Sequence, residues 1–379
     1  MRKDVIILII SVLFVSFLSF IVKFFGSNDI IPWGKEYSDV WFFRWFAFDP
    51  NFPYEKKIIE YPVIIGIFIQ IMGLIGKDAL GYYISSSVFL ISFALLTSYF
   101  LYKILVLYGF NKKNLYYFWV FAPSFFLFVI YNWDIITVFF SVLALYFFKK
   151  NMDKSASLAL SFGFATKFYP ILFLMPMILK RGMKKRIKML LVFFVSFFIV
   201  NSYFIVNNFE GWLKIYTYHS GRIPNSDSIW GVISVLFPRI NLDFINLFTL
   251  IAFSVLYVLV IWKGRKGSII NLWFISLLLF MILNKIFSPQ YIIWLLMFFV
   301  LNRNFSKTIF YSLEISNAIV LFSILNWVML KETIFINISY IAVLIRHVIL
   351  VCLLFFYPYF SQKLLSRGST RFKCYHQRS

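Results

Sequence analysis

Apolar stretches of roughly twenty residues alternate along the chain with short Lys/Arg clusters, and this alternation predicts a bundle of membrane-spanning helices. The clusters are Arg2-Lys3, Lys112-Lys113, Lys149-Lys150, Lys180 to Lys188, Lys263 to Lys266, Arg303 to Lys307 and a tail from Lys363. If all face the cytoplasm, the opposite face carries residues 26–60, Tyr131 to Asp134, the Lys167 region, residues 207–243, Asn284 to Gln290 and Lys331-Glu332. Two stretches break the parity. Residues 61–76 are apolar but short, which predicts a re-entrant or interfacial helix. Residues 155–180 run between two basic clusters and contain Lys167 and Pro170, which predicts two half-spans meeting near the outer face.

The expected fold is therefore an all-α polytopic membrane protein with about twelve spans, within a range of about 10–13. Residues 1–379 form a single membrane-embedded domain with both termini cytoplasmic, and no internal repeat is apparent. Residues 26–60 make a first outer loop of interfacial helices, residues 207–243 a second large outer loop, and residues 363–379 a cytoplasmic basic tail.

Composition agrees. Of 379 residues, 61% are hydrophobic and 14% charged, more apolar surface than one water-soluble domain can bury. Lys and Arg number 37 against 15 Asp and Glu, a net charge of +22. In a soluble chain that excess would suggest nucleic acid, but here the basic residues punctuate apolar runs, as the positive-inside rule requires, and no nucleic-acid partner is expected. The abundance of Phe fits a biased genome and names no ligand. Cys352 in an apolar run and Cys374 in the tail do not resemble a disulfide, redox or zinc site. The apolar run to Phe25 lacks a small-residue cleavage site and is expected to remain as the first span.

The mixed, motif-like segments fall on the predicted outer face, where loops that carry function are expected. In residues 26–60, Trp33, Trp41, Phe42, Trp45, Phe46 and Phe48 have spacings suited to short helices at the membrane interface. Such helices hold Asp39 at headgroup level, and a carboxylate shielded there has a raised pKa and can act as a general base. Glu36 and Asp49 are expected to be solvated loop charges.

Tyr37-Ser38-Asp39-Val40 to Phe43, then Pro53-Tyr54 and Glu60-Tyr61-Pro62, resemble the first-loop signature of the glycosyltransferase-C superfamily. The resemblance is strongest to the polyprenol-phosphate-mannose-dependent transferases that elongate phosphatidylinositol mannosides, and extends to the catalytic subunit of the first glycosylphosphatidylinositol mannosyltransferase. Ala165-Thr166-Lys167-Phe168-Tyr169-Pro170 is similar to their Lys-x-Tyr-Pro element. Tyr218-His219-Ser220-Gly221-Arg222 with Asp227-Ser228-Ile229-Trp230-Gly231 resembles their middle loop, and Asn284 to Tyr291 with Trp294 their late Ser-Pro-Gln-Tyr element. Val63 departs from the pattern, since the family often repeats proline after Tyr-Pro.

The resemblance implies an inverting hexosyltransferase that moves a sugar, mannose foremost, from a polyprenyl- or dolichyl-phosphate-hexose donor to a glycolipid or glycan acceptor outside the cytoplasm of the plasma membrane. It places Asp39 as the base. An inverting displacement also needs cations on the departing phosphate, and the candidates are Lys167, His219, Arg222 and Lys285. Lys167 can instead be a snorkelling lysine, and Arg222 and His219 ordinary loop residues. Candidate substrate-binding residues are Tyr61, Asp134, Tyr169, Gln290 and Tyr291. Asp134 can equally cap the helix that follows it, and Gln290 and Tyr291 can belong to an interfacial aromatic belt.

No cofactor or metal is implied, since outer carboxylates are scattered and no Gly-rich phosphate loop is present. The competing class is a transporter or flippase of lipid-linked sugars, which would also need intramembrane cations and broken helices, usually with inverted repeats. A structural subunit of a glycosylation complex, lacking the base, is a third reading.

Overall fold

The computed structural model describes residues 2–26, 34–49, 54, 59–303 and 305–368. Trp33, Pro53 and Cys374 lie outside them. The described residues form helices and no strand: α1 (Arg2–Phe25), the single turns α2 (Asp39–Phe42) and α3 (Arg44–Ala47), α4 (Val63–Gly76), α5 (Ala79–Tyr108), the turn α6 (Lys113–Leu115), α7 (Pro123–Phe128), α8 (Asp134–Lys149), α9 (Asp153–Phe164) and α10 (Ile171–Leu179). There follow α11 (Met183–Asn207), α12 (Phe209–Gly221), α13 (Ile229–Leu236), α14 (Leu242–Gly264), α15 (Ile269–Leu283), α16 (Ile293–Val300), α17 (Lys307–Leu330) and α18 (Thr333–Gly368).

Six helices, α1, α5, α11, α14, α17 and α18, are long and apolar enough to cross a membrane. Their outward positions are apolar: Phe14, Leu250 and Val258 are 64%, 65% and 63% exposed, a surface suited to hydrocarbon and not to water. Some hydroxyls on these helices bond within their own turns, as where Ser98 Oγ donates to the Ala94 carbonyl at 2.7 Å, and Ser19 Oγ of α1 donates to the Phe126 carbonyl of α7 at 2.6 Å. Six helices are thus long enough to cross singly, while α8, α15, α16 and the broken segment α6–α7 are shorter.

The basic clusters gather on one face, as the positive-inside pattern requires. Lys112 Nζ lies 2.7 Å from Asp4 Oδ2. Lys149 sits over the Tyr108 ring at 3.9 Å and Arg303 over the Phe110 ring at 5.4 Å. Lys180 donates to the carbonyls of Arg265 and Gly267 at 2.5 and 2.6 Å. At the opposite end of α1, Phe20 stacks on Tyr83 of α5 at 6.0 Å, so α1 and α5 are antiparallel and the chain between them stays on the far side.

That geometry decides the role of residues 61–76. Helix α4 runs back along the first half of α5, with Phe68 against Phe89 at 6.3 Å, and adds no crossing. At the α4–α5 corner a Cβ on Gly81 would come 2.0 Å from the Gly76 carbonyl oxygen, so the close approach requires glycine. Lys77 takes the left-handed cap (φ 63°) and Asp78 caps α5 by accepting from the Gly81 N–H at 2.7 Å.

Helices α9 and α10 are the two expected half-spans. Arg181 joins their basic ends, donating to Asp153 at 2.8 Å and to the Phe148 carbonyl at 3.0 Å. The 12 residues of α9 rise only about 18 Å. The Lys167 elbow therefore lies within the depth of a hydrocarbon core of about 30 Å, not near the outer face as the sequence pattern predicts. The long helices continue past it, and the elbow forms the floor of a recess.

Candidate active site

The recess is a cavity of about 460 Å³, within the size range of small-ligand sites. Its lining combines the polar residues Asp39, Glu60, Lys167, His219, Arg222 and Asp227 with the apolar residues Phe280 of α15 and Leu321, Ile324 and Leu325 of α17.

Asp39 is the first residue of α2. Ser38 caps the turn, its Oγ accepting from the Trp41 N–H at 3.2 Å, and the Val40 N–H donates to the Tyr131 carbonyl at 3.3 Å, fixing α2 against the turn before α8. Tyr61 donates its hydroxyl to Asp39 Oδ2 at 2.8 Å and packs edge-on against Trp133 and Phe43 at 5.1 and 5.4 Å. Asp39 keeps some exposure, and that exposure is to the cavity. Burial pushes its carboxyl up to about 6, against the lowering pull of the Tyr61 hydrogen bond and the Lys167 charge.

Lys167 follows α9, where its N–H donates to the Gly163 carbonyl at 2.9 Å. Its Nζ lies 2.8 Å from Asp134 Oδ1 and over the rings of Tyr61, Tyr291 and Trp294 at 4.7, 5.5 and 5.9 Å. Asp134 is fully buried and does not line the cavity. It makes no cap hydrogen bond; Asn132 Nδ2 donates to its other oxygen at 2.8 Å, and its own N–H donates to Asn132 Oδ1 at 3.0 Å. Of the two readings open in the sequence, sugar binding and helix capping, the geometry follows neither: Asp134 stands behind Lys167 as its counter-ion.

Tyr169, Tyr291 and Trp294 form a continuous ring stack, Tyr169 to Trp294 at 4.4 Å and Trp294 to Tyr291 at 3.9 Å. Tyr169, Gln290 and Tyr291 all line the cavity. Pro289 interrupts the backbone here, and its carbonyl accepts from Asn317 Nδ2 of α17 at 2.9 Å, which satisfies a group freed at membrane depth.

The cations divide. Arg222, after α12, pairs with Glu60 at 2.8 Å, both partly exposed to the cavity. His219, in the last turn of α12, is held down to about 4 by burial and by the Arg222 charge, so near neutral pH it offers hydrogen bonds and not the positive charge expected of it. Lys285 does not line the cavity: its Nζ donates to the Ser220 carbonyl at 2.9 Å and to Asn246 Oδ1 at 2.6 Å, tying α12 to α14.

Two residues were given no role from the sequence: Asp227, which belongs to the middle-loop element, and Arg346. Asp227 lines the cavity, and burial pushes its carboxyl up to about 6. Arg346, fully buried in α18, donates to the Asp227 carbonyl and to Asn317 Oδ1 at 2.8 Å, with its guanidinium 4.1 Å from the Phe287 ring centroid. A lone arginine in the middle of the last apolar run is costly unless partnered, and that signal was available in the sequence. Among the described residues, no group of three His, Cys, Asp or Glu side chains converges as a metal site would require.

A cavity lined by carboxylates and cations together with apolar side chains of α15 and α17 suits an amphipathic sugar-bearing ligand. No curated protein matches the chain. The family model of glycosyltransferase family 87 matches residues 60–289, more than half of the chain and most of the cavity wall. The chain belongs to glycosyltransferase family 87, and it is a multi-pass membrane glycosyltransferase.

Proposed function

We propose that this glycosyltransferase moves a hexose, mannose foremost, from a polyprenyl- or dolichyl-phosphate carrier to a hydroxyl of a glycolipid or glycan, with inversion at the anomeric carbon. The observation that carries the reading is the placement of a raised carboxylate, Asp39, on the same cavity as the cations Lys167 and Arg222, together with apolar side chains of α15 and α17 fit for a lipid carrier.

In this mechanism Asp39 takes the proton of the acceptor hydroxyl as its oxygen bonds to the anomeric carbon. The bond from that carbon to the phosphate oxygen breaks on the opposite face, and the electron pair leaves with the phosphate. Lys167, held by Asp134, and Arg222, released from Glu60, stabilise the growing negative charge, while neutral His219 donates a hydrogen bond. Tyr61 orients the base, and Tyr169, Gln290 and Tyr291 bound the sugar.

We place the cavity on the extracytoplasmic side of the plasma membrane and both termini in the cytoplasm, because the basic clusters gather on the face away from the cavity. We take residues 1–379 as one domain: α17 and α18 lie beyond the family match yet supply Leu321, Asn317 and Arg346 to the cavity and its loops.

The test supplies membranes containing the protein with labelled polyprenyl-phosphate-mannose and a cell lipid extract, then determines the anomeric configuration of any labelled product. Labelled glycolipid of inverted configuration is expected. Donor flipping without transfer would favour the transporter.

A further inference from the structure

We infer that Asp227 is a sugar-binding residue that accepts hydrogen bonds from the hydroxyls of the donor hexose and so sets which hexose is transferred. This rests on the donor class proposed above. Asp227 is 8% exposed and lines the cavity, and its Oδ1 is buried with no hydrogen-bond partner among the described residues.

The other carboxylates around the recess are engaged: Asp39 by Tyr61, Glu60 by Arg222, Asp134 by Lys167 and Asn132. The Asp227 carboxyl feels the Arg346 charge and takes a hydrogen bond from Asn225, but among the described residues it forms no ion pair and its Oδ1 is left unmet. A buried acceptor left without a donor costs free energy, and an ionised carboxylate has about four lone-pair sites, a match for two neighbouring hydroxyls of a hexose ring. Its terminal torsion is soft, so a small rotation presents the unmet oxygen to the cavity.

The backbone is fixed in advance. Arg346 holds the Asp227 carbonyl from α18. Two residues earlier, the Asn225 N–H donates to the Lys285 carbonyl and Asn225 Nδ2 to Ser288 Oγ, each at 3.0 Å. On the other side, Ser228 caps α13 by accepting from the Gly231 N–H at 3.0 Å. A carboxylate on so constrained a loop discriminates between ligands because it cannot follow a misplaced hydroxyl.

Placement selects the donor sugar over the acceptor. Asp227 and Arg222 lie on the same short loop between α12 and α13 and both line the cavity, which puts Asp227 beside the cation proposed to hold the phosphate. Tyr131 lines the same cavity, its phenol within the fields of both the Asp227 and Asp39 carboxylates. In the proposed displacement, the hexose lies between the base and the phosphate, beside Tyr131 and within reach of Asp227.

The test measures binding of full-length protein in lipid nanodiscs to short-chain polyprenyl phosphates carrying mannose, carrying glucose, or carrying no sugar. Asp227→Asn keeps the shape and is expected to weaken binding of the preferred hexosyl lipid about 10- to 100-fold, leaving the sugar-free lipid unchanged. Asp227→Glu, which keeps the charge but moves it by one methylene, is expected to alter the mannose-to-glucose ratio. Unchanged binding and ratio in both variants would overturn the inference, as would equal losses for the sugar-bearing and sugar-free lipids. Wild-type protein that binds the sugar-free lipid as tightly as the hexosyl lipids would overturn the inference alone; wild-type protein that binds none would overturn the donor class with it.

Discussion

Tyr61 donates its hydroxyl to Asp39 Oδ2 across 2.8 Å while its ring lies 4.7 Å from the Lys167 ammonium. One tyrosine thus links the carboxylate to the cation through two kinds of contact. Because the hydrogen bond lowers the pKa of Asp39 while burial raises it, the relationship is testable through pH.

Asp39 sits at about 6 instead of its ordinary 3.8, so between these values it is largely protonated where a solvated aspartate would be ionised. A base in this state loses activity as pH falls through 6, about tenfold per unit below it. Tyr61→Phe removes a contact that favours the ionised form, and the acid limb of the pH–rate profile is expected to move up by about 0.5–1 unit. Asp227 also titrates near 6 but does not touch Tyr61, so the difference between the two profiles reports Asp39.

The Lys167–Asp134 pair is buried, and removing one partner strands the other charge. Asp134→Asn is expected to lower stability by about 3–5 kcal/mol. In the double variant Asp134→Asn, Lys167→Met the stranded charge is gone, so thermal stability recovers substantially. Transfer does not recover, because the phosphate has lost its lysine, at an expected cost of about 100- to 1,000-fold. Melting curves beside transfer rates separate the two effects.

Arg346 acts on the cavity through Asp227 and Asn317, as a positioning residue. Arg346→Met breaks both contacts and is expected to reduce transfer by at least about tenfold, with Arg346→Lys restoring part of it because one donor and the charge remain. Equal activity of the two variants at equal expression would argue against a positioning role.

The turn at Lys77 lies on the face opposite Lys113. In a background with both native cysteines replaced by serine, Lys77→Cys is expected to react with an impermeant thiol reagent on intact cells, and Lys113→Cys only after permeabilisation. The reverse pattern would invert the topology, and labelling of both from outside would mean that residues 79–108 do not cross.

The polar elements of the cavity were legible because the surrounding sequence is so apolar: Asp39, Lys167, Arg222 and Gln290 stand out, and the fold brings all of them to one recess. Asp134 was ambiguous because sugar contact, helix capping and ion pairing leave the same local trace. Only the half-span geometry of α9, which brings Lys167 beside it, resolves its contact. Lys285 shares a motif with Gln290, yet the chain direction after α15 turns it to Ser220 and Asn246. The depth of the cavity depends on where helices stop relative to one another, which hydropathy does not encode.

The central claim is that Asp39 is the base of a sugar transfer. Its most direct test is the initial rate of labelled hexose transfer by vesicles holding equal amounts of folded wild-type protein or Asp39→Asn, an isosteric change that removes the base. Transfer by the wild type with a loss of at least about 1,000-fold in the variant is the expected result. Transfer by Asp39→Asn within about tenfold of wild type would contradict the claim and require the proton to be taken by another group.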